Sequence, residues 1–379
     1  MRYELIATAA FGLEAVVRRQ IEKIGCEVIR TEDGKVTFAG DERDIVRANL
    51  HLRSADRVLI RMGEFEACTF EDLFRGVYGI PWEELVPSDG KVVVTGTSVK
   101  SALHSVPACQ SVAKKAIASR LGSAYGMEEL PETGSVYTVK VSLLKDRATV
   151  TVDTSGDGLH KRGYRVRTVE APIRETVAAA LIELSFWKPG RLLVDPCCGS
   201  GTIAIEAAMI GRNIAPGLSR SFACESWDAI PREIWKSERK AAFEAIDNSV
   251  HLNIIAADID GRAVDSAREN AIEAGVEDAI SFRRMDIGET LSDLPTSGIM
   301  ITNPPYGERI GDEKQLAHIR GELKDFFGKN PMWSLFVITT DKNFESRVFG
   351  READRRRKLY NGRLETCYYQ FHGKRPDKK

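Results

Sequence analysis

From Ile173 onward, short apolar runs alternate with longer helix-patterned stretches, and this alternation constrains the fold more than any other feature of the chain. A helix is expected over Ile173 to Leu184, a strand at Leu192-Leu193-Val194 and a helix over Thr202 to Met209. A strand over Leu252 to Ala256, a helix over Ala263 to Ala274 and strands at Ile280 to Arg284 and Gly298 to Thr302 follow. A helix over Lys314 to Phe327 and a strand at Ser334 to Thr339 come next. Strands alternating with helices build a parallel, doubly wound α/β sheet. At the end, Asn361-Gly362 sits between Arg356-to-Tyr360 and Leu364-to-Phe371, and this dipeptide favours the type I′ turn of a two-residue hairpin loop. An antiparallel hairpin is therefore expected to close the sheet.

The front of the chain reads differently. Strand Tyr3 to Ala7, helix Leu13 to Ile24, two strands about Glu32-Asp33-Gly34, helix Glu42 to Leu50 and strand Val58 to Phe65 make a β-α-β-β-α-β run, the ferredoxin-like plan. A second α+β unit follows, with helix Phe70 to Tyr78, strand Val92-Val93-Val94, a long helix from Pro107 to Leu121 and strands Val136 to Leu143 and Ala148 to Val152. Lys145-Asp146-Arg147 supplies turn chemistry between the last two. Asp153-Thr154-Ser155-Gly156-Asp157-Gly158 is polar and glycine-rich and reads as a linker. The expected units are 1–65, 66–155 and 156–379.

Three function classes are set aside by composition. No apolar run of ~18 residues is present to cross a bilayer, so a soluble protein is expected. Lys+Arg 54 against Asp+Glu 55 gives a net charge of -1, without the basic excess of a coat-like nucleic-acid binder, so any polynucleotide contact must be local. The seven cysteines are scattered, with no Cys-x-x-Cys pair or histidine at zinc-ligand spacing, and read as reduced thiols of a cytoplasmic protein without a metal. Leu5 to Leu13 imitates a signal-peptide core, but Glu4 precedes it and Glu14, Arg18, Arg19, Glu22 and Lys23 follow on a helical period.

The segment Asp195-Pro196-Cys197-Cys198-Gly199-Ser200-Gly201-Thr202 lies where a strand hands over to an apolar helix. Gly199 and Gly201 remove side chains where backbone must approach a ligand, and the helix N-terminus offers unpaired N–H groups. A ligand cradle or a tight turn without a ligand both fit the glycines. The Gly-Lys-Ser/Thr of a phosphate loop and the third glycine of a dinucleotide fingerprint are absent. Asp258, at the end of the next strand, is placed to hydrogen-bond two ribose hydroxyls, and Asp286, at the end of the one after, to meet an adenine amino group. Each is also a natural helix N-cap. Asp195 and Asp258 are 63 residues apart, against ~20 in a compact dinucleotide unit, so residues 212–248 form an insertion.

Ile301-Thr302-Asn303-Pro304-Pro305-Tyr306-Gly307 follows another strand. Two prolines remove two backbone donors and hold the chain extended, leaving the Asn303 side-chain oxygen and the Pro304 carbonyl to accept from one planar NH₂ group. Tyr306 offers a flat face to the ring bearing it. Such a loop aims an exocyclic amine at an electrophilic carbon, where placement supplies much of the rate.

The Asp195-to-Thr202, Asp258-Ile259-Asp260 and Asn303-to-Gly307 segments resemble motifs I, II and IV of S-adenosylmethionine-dependent amino-methyltransferases. Together with Gly158-to-Arg165, Ala171-to-Thr176 and Tyr360-to-Glu365, they resemble bacterial THUMP-domain ribosomal RNA guanine-N2 methyltransferases of the RlmL-like kind, without a fused second methyltransferase. The resemblance covers nearly the whole chain. It implies a class I methyltransferase sheet behind ferredoxin-like and THUMP units. It also implies cofactor contacts at Asp195, Cys197, Gly199, Gly201, Thr202, Asp258, Ile259 and Asp286, and base positioning by Asn303, Pro304 and Tyr306. Asn-Pro-Pro-Tyr also serves adenine N6 methylation, so an adenine-N6 enzyme on DNA or RNA is the alternative, and a non-catalytic RNA-binding assembly factor another.

Between Gly90 and Gly126 stand Lys91, Lys100, Lys114, Lys115 and Arg120 without an acid, within the THUMP region. Lys100, Lys114, Lys115 and Arg120, extended by Arg162 and Arg165, are the expected phosphate contacts. The implied partner is ribosomal RNA, naked or in a partly assembled large subunit, because the base must be extruded from its stack; no obligate protein partner is evident.

Overall fold

The computed structural model describes residues 2–167, 172–305, 312–362 and 364–374. The front begins with β1 (Tyr3–Ala9), α1 (Glu14–Lys23), β2 (Glu27–Glu32), β3 (Lys35–Gly40), α2 (Glu42–His51) and β4 (Ala55–Glu66). It continues through α3 (Phe70–Tyr78), β5 (Lys91–Val99), α4 (Val106–Tyr125), β6 (Val136–Leu144) and β7 (Arg147–Asp153). Local chemistry fixes several ends. Asp41 and Asp44 form a capping box on α2, Thr69 and Asp72 one on α3, and Gly126 ends α4 in the left-handed conformation. Lys145 and Asp146, at φ 51 and 63, are the two central residues of the β6–β7 turn, the backbone a type I′ loop requires.

The ferredoxin-like and THUMP segments share one seven-stranded sheet of order β2-β3-β1-β4-β7-β6-β5. The junction is β4, whose early residues pair with β1 and whose later residues pair antiparallel with β7, from Leu59↔Asp153 to Glu66↔Arg147. The expected linker is no free tether. Thr154 and Ser155 are buried because their hydroxyls replace solvent: Thr154 Oγ1 donates to the Val58 carbonyl at 2.6 Å, and Ser155 Oγ donates to Asn49 Oδ1 at 2.7 Å.

The remainder comprises α5 (Glu175–Leu184), β8 (Leu193–Asp195), α6 (Thr202–Gly211), α7 (Arg232–Glu244), β9 (Ile254–Asp258), α8 (Gly261–Glu273) and β10 (Ile280–Arg284). Then come α9 (Ile287–Ser292), β11 (Ile299–Thr302), α10 (Asp312–Lys329), β12 (Ser334–Thr339), α11 (Phe344–Phe349), β13 (Arg355–Asn361) and β14 (Leu364–Phe371). The sheet order is β10-β9-β8-β11-β12-β14-β13, parallel through β12 and antiparallel at β14 and β13, as the alternation demands. One apolar cluster under α5, α6 and α8 covers one face, with Val177, Ala204 and Ala267; another, with Ile319, Leu323 and Val348 of α10 and α11, covers the other. The hairpin loop is displaced by one residue from the expected one. Asn361 pairs with Leu364, Gly362 takes φ 66, and the Asn361 amide oxygen accepts from the Arg174 N–H at 3.1 Å.

The insertion joins the two sheets. Its Phe222, Cys224, Trp227, Ile230 and Trp235 belong to the same core cluster as the front sheet, and Trp227 stacks on Tyr137 of β6 at 4.6 Å between ring centroids. Charged side chains are also buried across this joint. Glu206 of α6 accepts from Arg162 Nε at 3.3 Å and from the Tyr164 hydroxyl at 3.1 Å; Arg162 donates to the Arg53 carbonyl and to the Leu159 carbonyl. Arg53 donates to the Ile214 carbonyl at 2.7 Å, and Gln20 of α1 donates to Glu183 of α5 at 2.9 Å.

Candidate active site

Strand ends bring the chemistry together. Because β8 lies between β9 and β11, the loops after these three strands emerge side by side at their carboxyl ends, the edge where open α/β sheets bind ligands. After β8 the chain makes its tight glycine turn. Gly199 and Gly201 adopt φ 53 and 80, Cys198 N–H donates to the Ala257 carbonyl of β9 at 2.9 Å, and Gly201 leads into α6 as its N-cap. At Gly201 a Cβ would stand 2.9 Å from Ala267 Cβ, so the loop lies too close to α8 for a side chain.

Three carboxylates mark the rim, each held differently. Asp195 is buried; its Oδ1 accepts the Thr302 hydroxyl at 2.8 Å and the Cys197 N–H at 3.3 Å, tying β8 to the end of β11. Burial pushes its carboxyl up to about 7, against these two hydrogen bonds and with the nearby Asp258 charge. Asp258 accepts the Gly199 N–H at 3.0 Å on one oxygen and the Asp260 N–H at 3.0 Å on the other, retaining acceptor capacity on both. Burial raises it too. Ile259 beside it is 56% exposed, an apolar surface next to a carboxylate that suits a nucleoside. Asp286 caps α9 through the Gly288 N–H at 2.9 Å and meets His318 Nε2 of α10 at 3.0 Å. Burial raises its carboxyl, but the His318 and Gly288 bonds outweigh that and hold it below the usual range. His318 was invisible to local spacing, lying 32 residues downstream.

Asp195 gives a pH-dependent expectation. A carboxyl raised in the folded state from 3.8 to about 7 contributes stability that is complete below its unfolded pKa and lost as pH rises through 7. Asp195→Asn, neutral and able to accept from Thr302, is expected to melt above the native chain at pH 8, with the gap closing toward pH 4. Thermal melts at both pH values check this, and a gap independent of pH refutes it.

The loop expected to accept the target amine begins at Asn303, half-buried directly after β11, followed by buried Pro304. Tyr306, expected as the stacking face, lies outside the described residues. Cys197 is half-buried, its thiol pushed well up by burial, and its N–H donates to Asp195; Thr202 opens α6.

The expected phosphate contacts divide. Lys100 and Lys115 are exposed. Lys114 pairs with Glu132 and donates to the Val92 carbonyl at 2.6 Å, while Arg120 forks onto Glu83, with Nε at 3.0 Å. Both acids lie outside the basic stretch in sequence, so the local excess is smaller than counting suggests. Arg162 and Arg165 are not surface groups. Arg162 is buried against Glu206, and Arg165 is turned inward onto Glu175 at 2.7 Å and Thr202 Oγ1 at 3.0 Å, because these carboxylates and hydroxyls satisfy guanidinium groups that would otherwise need solvent.

No helix among the described residues is long and apolar enough to cross a membrane, and no group of three metal-ligating side chains stands together among them. YpsC of Bacillus subtilis (strain 168), provisionally named an RNA methyltransferase, is 47% identical over 381 residues, covering 100% of this chain and 98% of its own. A Listeria monocytogenes structure described as a predicted N6-adenine-specific DNA methylase is 46% identical, with TM-score 0.92, covering 99% of this chain and 97% of its own. SMU.472, a provisionally assigned methyltransferase complexed with S-adenosylhomocysteine, is 45% identical, with TM-score 0.92 and 99% of each chain covered. An RlmL ferredoxin-like domain matches residues 4–59 and a THUMP domain residues 67–153. With the RMKL-like methyltransferase domain of UPF0020 matched over residues 162–370, behind that front, the chain belongs to the THUMP-containing RMKL-like methyltransferase family.

Proposed function

We propose that this protein transfers a methyl group from S-adenosylmethionine to the exocyclic N2 amine of a guanine in large-subunit ribosomal RNA, in the cytoplasm. The observation carrying the proposal is the joint: one continuous sheet bearing the THUMP segment is fixed to a catalytic sheet whose acceptor loop follows β11. DNA methylation gives no reason for that front. The cofactor has a fitting bed in the left-handed glycines, the Asp258 carboxylate with its spare lone pairs and the exposed Ile259. SMU.472 was crystallised with the demethylated product of that cofactor.

Bound S-adenosylmethionine supplies an electrophilic methyl. The chain supplies placement. In this reading, the Asn303 side-chain oxygen and the Pro304 carbonyl each accept one N–H of the target amine, turning its nitrogen lone pair toward the methyl, while Tyr306 stacks on the base. The methylated amine cation is acidic enough to release its proton without a strong base. Cofactor contacts fall to Asp195, Cys197, Gly199, Gly201, Thr202, Asp258, Ile259 and Asp286. Exposed Lys100 and Lys115 reach phosphates, so RNA affinity falls steeply with salt. Naked or partly assembled subunits are better substrates than finished ones.

Nucleoside mass spectrometry on a deletion strain tests the proposal. Loss of one N2-methylguanine from large-subunit RNA, restored by the native gene, is expected. Loss of N6-methyladenine from DNA, with RNA unchanged, overturns it in favour of the activity ascribed to the Listeria relative.

A further inference from the structure

Arg165 belongs to a short segment that runs behind the glycine turn, and its surroundings are unusually complete. Its Nε donates to Glu175 Oε1 at 2.7 Å, Nη1 to Ser200 Oγ at 3.3 Å, and Nη2 to both Thr202 Oγ1 at 3.0 Å and the Ile173 carbonyl at 2.9 Å. Beside it, buried Asn270 of α8 accepts the Val166 and Arg167 N–H groups, each at 3.0 Å, on its amide oxygen. Its amide nitrogen donates to the Arg167 carbonyl at 3.0 Å and to the Ser200 carbonyl at 3.1 Å. Two side chains therefore converge on Ser200, the residue between the two left-handed glycines, one on its hydroxyl and one on its carbonyl.

We propose that Arg165, held in line by Asn270, is a positioning residue that pre-forms the glycine turn for S-adenosylmethionine. This rests on the reading of that turn as the cofactor cradle. Gly199 and Gly201 give the turn its shape but also make it the costliest stretch of the cradle to order. A guanidinium fork fixed by Glu175 has its donors in a rigid plane, so it can hold the Ser200 and Thr202 hydroxyls at once; an ammonium cannot span the same acceptors. Burying an ion pair behind a loop is a poor source of stability in itself. Here it directs donors at two hydroxyls of one ligand turn, which lowers the ordering cost that cofactor binding would otherwise meet. The bracing also reaches the front end, because Thr176, next to Glu175, lies with its hydroxyl 3.5 Å from Asp56 Oδ1 at the start of β4.

The test measures calorimetric binding of S-adenosylhomocysteine to the full chain, native and carrying Arg165→Lys, Arg165→Met or Asn270→Ser. Filter binding to an unmodified large-subunit ribosomal RNA transcript and a thermal melt accompany each titration. The expected result is about tenfold weaker S-adenosylhomocysteine binding in Arg165→Met and Arg165→Lys, a smaller loss in Asn270→Ser, and RNA affinity within twofold of native. Arg165→Lys keeps the charge, so weakening there with an unchanged melting temperature separates placement of the turn from bulk stability. If Arg165→Met does not fold, the lysine and Asn270 variants decide. Native affinity for S-adenosylhomocysteine in the variants overturns the proposal, as does a loss confined to RNA binding, which would make Arg165 a phosphate contact. Failure of the native chain itself to bind S-adenosylhomocysteine overturns the cradle reading instead, and the positioning role with it.

Discussion

Asn303→Ala is expected to lower the rate of methyl transfer at saturating cofactor by about 10²- to 10³-fold while leaving S-adenosylhomocysteine binding within about twofold. The backbone that carries Asn303 is anchored at the end of β11. Thr302, the preceding residue, donates to buried Asp195 at 2.8 Å, which anchors the end of β11 to β8; Pro304 and Pro305 then hold the next residues extended. Alanine leaves that backbone in place and, in the proposed mechanism, removes one of two acceptors from the target amine. An unaligned amine keeps its lone pair conjugated with the ring, so the loss falls on the chemical step. Asn303→Asp, which still accepts, is expected to retain more activity than Asn303→Ala. Single-turnover transfer of radiolabelled methyl to unmodified ribosomal RNA measures both, and an alanine variant at the native rate removes Asn303 from the mechanism. Label incorporation by the native chain, abolished by Asn303→Ala, also excludes a factor that only binds RNA.

The second large effect is structural. Glu206 is fully buried on α6 and is the carboxylate that compensates Arg162, itself 3% exposed, while the Tyr164 hydroxyl donates to the same oxygen. Burial also lowers the basicity of half-buried Arg53, against the opposing field of Glu206. Glu206→Ala strands the buried Arg162 guanidinium in the joint between the two sheets, and removing one partner of a buried pair costs about 3–5 kcal/mol. A fall in melting temperature of about 5 °C follows. The double variant Arg162→Met, Glu206→Leu removes both charges and is expected to recover much of the loss, since apolar replacement of a buried pair is often neutral or better. A fall under 3 °C in Glu206→Ala would show that water reaches the joint and screens the charges. Partial unfolding of the front alone would appear as two separate transitions.

The Asp195-to-Thr202 turn, the Asp258 rim and the Asn303 loop were legible because each is written within a few consecutive residues at the end of an apolar run. Short helices α9 and α11, six residues each, escaped because a hydrophobic period needs more turns than they have. The polar segment after Asp153 looked like a linker because composition reports only polarity; in the fold, small hydroxyls there answer Asn49 and Val58 across the sheet. The same blindness misplaced Arg162 and Arg165. Their acidic partners, Glu206 and Glu175, come from helices that approach only after the parallel sheet is wound.

The sequence by itself determined the strands and most of the helices, though not α7, α9 or α11, together with the parallel sheet, its antiparallel end and the three carboxylate positions, because these follow from local periodicity, turn chemistry and strand-end placement. Tertiary structure alone decided that the ferredoxin-like and THUMP segments form one sheet through β4 and β7, that the insertion's tryptophans complete the front core, and which cations of the basic stretch are tied to acids. Hydrogen-bond pairing between distant strands, burial and charge compensation are properties of approach in space, and approach is what one-dimensional spacing does not carry.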